Sequence, residues 1–165
     1  MTFHKVHWLF PIDLALHNSE EALTMPGWFR THSNQIPLHP GATMIWCGLS
    51  VLTVAAFVVT HRSAKHGPQS VWAYLVFGGI VTMLANVVVP HVPASFVFRG
   101  YTPGVATAAL VNLPVMSLLT YRALRERWVS GTRAVAFAVC VPAAVAVAVG
   151  ALFTLTELAR SSSHP

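Results

Sequence analysis

Only five acidic residues occur in the 165-residue chain. Three of them, Asp13, Glu20 and Glu21, fall close together around His17 in the stretch DLALHNSEEALT. At 100° per residue, Asp13, His17, Glu20, Glu21 and Thr24 cover an arc of about 100° on a helix. Asp13–His17 and His17–Glu21 are i,i+4 pairs and His17–Glu20 is an i,i+3 pair, so these side chains are surface neighbours. Two chemistries suit such a stripe. Imidazole and carboxylate together ligate zinc, iron or manganese. Alternatively, carboxylates in an apolar pocket act as general acid and base, with the imidazole relaying the proton.

One helix rarely completes a metal site. His91, in NVVVPHV, is the expected further ligand, with His39 as its rival and Glu157 as an additional candidate. The first-helix ligands are His17, Glu20 and Glu21. Asp13 is expected to hold the second ring nitrogen of His17, and Asn86 to orient a ligand from one turn before His91. The stretch FRGYTPG supplies Arg99 to meet an anion, Tyr101 to donate a hydrogen bond, and Gly104 to permit close approach of backbone or ligand.

The elements that must position these residues are membrane helices. The chain is 55% hydrophobic and 9% charged, with mean hydropathy +0.60, whereas soluble domains carry roughly 25% charged residues. A bilayer core needs about 20 apolar helical residues, and segments 41–61, 70–90, 104–124 and 134–158 meet that length. A fifth segment, 4–25, is apolar over most of its surface. Pro11 and Asp13 interrupt it, and no small-x-small cleavage pattern follows, so it reads as a retained helix rather than a secretory signal. The expected fold is an all-α, polytopic membrane bundle of five transmembrane helices. It forms one domain over 1–160, with a disordered tail at 161–165.

Orientation follows from the basic residues. Lys5, Arg62, Lys65, Arg122, Arg125, Arg127 and Arg133 fall on the side of the N-terminus, and Arg30, Arg99 and Arg160 on the other. That asymmetry places the N-terminus in the cytoplasm and the polar stripe, His91 and the 26–40 loop in the outer leaflet of the plasma membrane. The net charge of +5 is spread over loops and forms no basic stripe, which argues against nucleic-acid binding. Cys47 and Cys140 sit in apolar spans and give no disulfide framework.

These residues carry a resemblance. His17-Asn18-Ser19-Glu20-Glu21, a downstream histidine matched by His91, and Tyr101-Thr102-Pro103-Gly104 occur in the order seen in the HXXEE-domain family of small integral membrane proteins. The chain resembles that family over about residues 8–125. The resemblance implies a membrane metal-dependent enzyme, without a defined reaction, and leaves the second histidine open between His91 and His39.

The expected function is that of an integral membrane enzyme with a divalent metal, in which Glu20, Glu21 and Tyr101 do the chemistry on a lipid-like or amphiphilic substrate. Hydrolysis by a metal-activated water is the first expectation. The alternatives are a metal-free isomerase or cyclase working by carboxylate proton transfer, and a non-enzymatic carrier or binding protein for a cation or amphiphile.

Overall fold

The computed structural model describes the backbone of residues 2–36 and 40–161 and the side chains of 2–36 and 40–155. Every regular element among them is helical: α1 (Phe3–Val6), α2 (Leu9–Thr31), α3 (Ala42–His66), α4 (Val71–Asn86), α5 (Val92–Val97), α6 (Val105–Thr107), α7 (Leu113–Arg125) and α8 (Gly131–Ser161). A kink at Val87–His91 joins α4 to α5, and a wider π-helical turn at Ala108–Asn112 joins α6 to α7. Four helices are long and apolar enough to cross a membrane: Ala42–His66, Val71–Val97, Val105–Arg125 and Gly131–Leu155. The architecture is an all-helical bundle of the kind a membrane can hold. The fifth expected span corresponds to α2, whose 23 residues include Asp13, Glu20, Glu21 and Arg30 and which is not among those four.

The centre of the bundle is α4, which packs against α2, α3, α7 and α8. Its Ser70 cap accepts a hydrogen bond from the Ala73 N–H at 3.2 Å, satisfying one free donor of the first turn. Tyr74, Val76, Phe77, Ile80 and Met83 then bury themselves against Phe3, Phe10, Met116, Leu119 and Trp128. Gly78 lets α8 lie directly on α4: a methyl group there would stand 2.5 Å from Val141 Cγ2 and 2.8 Å from the Phe137 carbonyl. Such small-residue contacts are how apolar helices associate in lipid. Elsewhere large apolar side chains such as Leu23, Val51, Val88, Leu110 and Val147 face outward, as a lipid-bathed surface requires.

Two helix boundaries differ from expectation. The stretch 26–40 was expected to be a loop, yet α2 runs through Pro26 to Thr31. A proline removes the N–H that would bond the carbonyl four residues earlier. Here the Trp46 indole N–H of α3 donates to that Ala22 carbonyl at 2.8 Å, so the helix continues without an orphaned acceptor. The span starting at residue 70 was expected to end at Pro90. Instead the helix breaks at Val89 (φ −146°, ψ 114°) and resumes at once. The residue before proline is pushed toward extended backbone, and this break turns His91 inward, where it is buried.

Candidate functional site

α2 sets the first two groups of the site. His17 and Glu21 stand one turn apart on its buried face, with Nε2 and Oε1 separated by 3.7 Å. The break at Val89 delivers His91, whose Nε2 lies 3.5 Å from the same Glu21 oxygen. The two imidazoles meet edge to face, centroids 4.8 Å apart. One ligand atom from each of His17, Glu21 and His91 lies within 4.8 Å of the others, and all three side chains are buried.

Hydrogen bonding fixes how the rings point. His17 Nδ1 is 2.8 Å from Thr107 Oγ1. That hydroxyl is also 2.5 Å from Glu20 Oε2 and 3.2 Å from the Gly104 carbonyl, both acceptors. Thr107 has one proton and donates it to one of those acceptors, so it must accept from His17. His17 therefore carries its proton on Nδ1 and turns the Nε2 lone pair toward Glu21 and His91. The Pro103 backbone is a hydrogen-bonding neighbour of the His91 ring. Proline has no N–H, so its carbonyl accepts and the imidazole donates. The Asn86 amide Nδ2 donates toward both Nε2 atoms, at 3.3 Å for His17 and 3.0 Å for His91. Each Nε2 has one lone pair, so these contacts and an ion are alternatives; with the Asn86 amide displaced, two imine lone pairs and a carboxylate converge on one small volume. Such a set of acceptors suits a divalent ion bound through nitrogen and oxygen.

Over this volume lies Gly104. Its φ of +81° is open to glycine, and a Cβ there would stand 2.6 Å from His91 Cε1, 2.8 Å from His17 Cε1 and 3.1 Å from Glu21 Cγ. The backbone of the Tyr-x-Pro-Gly turn is therefore a wall of the site.

A family described as "Protein of unknown function with HXXEE motif" matches residues 8–119, more than half of the chain. The chain belongs to the HXXEE-motif family. A relative in Bacillus subtilis (strain 168), the uncharacterized protein YrkK, is 29% identical over 114 residues, covering 68% of this chain and 71% of the relative. No solved structure matches it.

In this HXXEE protein the two motif glutamates part company. Glu21 joins the histidines. Glu20 turns to the 101–107 turn, where its carboxylate accepts from the Tyr101 hydroxyl at 2.6 Å and from the backbone N–H of Ala106 and Thr107 at 3.3 and 2.8 Å, besides the Thr107 hydroxyl. Adjacent helical residues point about 100° apart, so one ion cannot easily face both. Glu20, expected among the metal ligands, instead ties α2 to the start of α6 and completes a Tyr101–Glu20–Thr107–His17 chain. Partial burial and the Glu20 contact raise the pKa of the Tyr101 phenol, keeping it a donor.

Asp13 was expected to hold the second ring nitrogen of His17. Thr107 does so instead, and the Asp13 carboxylate is buried with no hydrogen-bond partner among the described residues. Asn86 stands where expected, against both rings. Arg99 is exposed at φ +50° and pairs with no described carboxylate. Of the rivals for the further ligand, His91 is in the cluster. His39, the side chain of Glu157 and the tail at 162–165 lie outside the described residues. Sequence reasoning missed Thr107. Its signal was available: a hydroxyl three residues after Gly104, on the first turn of a helix that must start beside the site.

Proposed function

We propose that this HXXEE protein is an integral membrane enzyme that holds a divalent metal on His17, Glu21 and His91 and acts on a lipid-like or amphiphilic substrate. The convergence of three buried acceptor atoms within 4.8 Å carries this reading. A divalent ion bound there supplies Lewis acidity and activates water near neutral pH, which favours hydrolysis. The chain's own groups divide the remaining work. Thr107 and the Pro103 carbonyl fix the imidazole tautomers, Asn86 occupies the two Nε2 lone pairs until an ion takes them, and Glu20 holds the Tyr101 hydroxyl beside the site, where it can donate to a developing anion. Arg99 meets an anionic headgroup at the rim.

α2 makes the fifth span. Its 23 residues rise about 34 Å, and its ionisable side chains at 13, 17 and 21 are turned into protein. The seven-to-three split of the basic residues supports a cytoplasmic N-terminus and a site in the outer leaflet of the plasma membrane.

Elemental analysis of the detergent-purified protein tests the reading. About one zinc, iron or manganese per chain is expected, lost in His17→Ala and Glu21→Gln. Wild-type protein that stays substoichiometric in every divalent metal after growth in supplemented medium overturns it. A second reading, metal-free proton transfer by an isomerase or cyclase, is favoured by the continuous Tyr101–Glu20–Thr107–His17 chain. It predicts activity that survives exhaustive chelation.

A further inference from the structure

On the face of α2 turned away from the metal ligands, α2 and α3 leave a groove of about 780 Å³. The α2 side runs from Ala15 past Ala22 and Gly27 to Arg30, and the α3 side presents Trp46, Ser50 and Val54. Fifteen helical residues rise about 22 Å, more than the roughly 15 Å half-thickness of a bilayer's hydrocarbon core.

The interior of the groove is apolar in effect. Asn18 spends its amide on the Leu49 carbonyl and Thr53 hydroxyl at 3.0 and 2.7 Å, clamping α2 to α3. The Ser19 and Thr53 hydroxyls donate back to the Ala15 and Leu49 carbonyls at 2.7 and 2.8 Å. Of the lining side-chain hydroxyls, that of Ser50 alone has no hydrogen-bond partner among the described residues. The charge sits at one end only. The Arg30 guanidinium folds back over the preceding turn, its Nη2 4.0 Å from where a Gly27 Cβ would stand. None of the described ion pairs engages it.

We infer that this groove binds an anionic phospholipid of the bilayer, with its acyl chain along the α2–α3 channel and its phosphate on Arg30. A mostly apolar trough with one cation at its end, engaged by no described carboxylate, complements one occupant: a chain with a negative head. A neutral or zwitterionic lipid fills the same trough but gains less from Arg30. This site is separate from the metal ligands and does not rest on their chemistry.

Native mass spectrometry of the detergent-solubilised full chain, titrated with dioleoyl phosphatidylglycerol or dioleoyl phosphatidylcholine, tests the inference. The phosphatidylglycerol adduct should form at about fivefold lower lipid concentration, the factor equivalent to the ~1 kcal/mol that one arginine contributes near an anionic lipid surface. Arg30→Gln should erase that difference while leaving phosphatidylcholine binding unchanged. Ser50→Phe, at an exposed groove position, should weaken both adducts and leave metal content intact. Equal affinity for the two lipids in the wild type, or a preference that survives Arg30→Gln, overturns the inference. So does rapid disulfide formation between copies carrying Ser50→Cys in a chain with both native cysteines replaced by serine, because a second copy would then occupy the groove.

Discussion

Replacing Gly104 by alanine adds one methyl group at the point where the turn touches all three proposed ligands. That methyl would stand 2.6 Å from His91 Cε1 and 2.8 Å from His17 Cε1. Carbon atoms rest at about 3.5–4.0 Å, so the imidazoles and the turn must separate by about 1 Å. Ligand distances tolerate only about 0.2 Å. A left-handed φ adds roughly 1–2 kcal/mol of strain for a residue with a Cβ. Removing a group that merely supports a ligand weakens metal binding about 10–100-fold. Displacing two ligands at once should reach at least the upper figure, or about 2.7 kcal/mol. Gly100→Ala is the internal control. It lies in the same turn, but its added Cβ would approach nothing nearer than the Phe98 carbonyl at 3.8 Å. Competition against a chromophoric chelator, with both variants in detergent, reads the difference directly. Gly104→Ala binding metal as tightly as Gly100→Ala would refute the placement of the turn against the imidazoles.

Thr107→Val removes the acceptor that fixes the His17 tautomer and should weaken metal binding about tenfold; Thr107→Ser should restore it, in the same competition assay. The motif glutamates should separate by readout: Glu21→Gln abolishes stoichiometric metal, whereas Glu20→Gln retains it and lowers thermal stability by about 1–3 kcal/mol through the lost charged hydrogen bonds. Trp46→Phe leaves the Ala22 carbonyl orphaned beside Pro26. It should destabilise the end of α2 by about 1 kcal/mol, seen as faster amide exchange over residues 26–31 with unchanged exchange at 13–21.

Much of this was legible because lipid is an unforgiving solvent. Ionisable groups on an apolar helix need a reason, and that logic picked out His17, Glu20, Glu21 and His91, with His39 as a rival, of which His17, Glu21 and His91 come together. The four apolar helices were equally plain from length and composition. Finer assignments were not. A stripe 100° wide looks like one surface, yet Glu20 and Glu21 sit at its separate edges and find different partners. Asp13 and Thr107 compete for the same ring nitrogen, and only the packing of α6 on α2 decides between them. Pro26 and Pro90 look like stops. Whether a helix survives a proline depends on a donor from elsewhere, as Trp46 shows, and on where the chain goes after an extended residue, as Val89 shows.

The tie between Glu20 and Thr107 bridges 87 positions of sequence. If α2 crosses the membrane as proposed, it emerges long before the groups that cover its polar face, and by insertion scales each such group is unfavourable by up to about 2.5–3.5 kcal/mol, the value at mid-membrane. A ribosome stalled before residue 107 should then leave α2 open to extraction by alkali, and integration of the N-terminal segment should wait for the arrival of the Tyr-x-Pro-Gly turn.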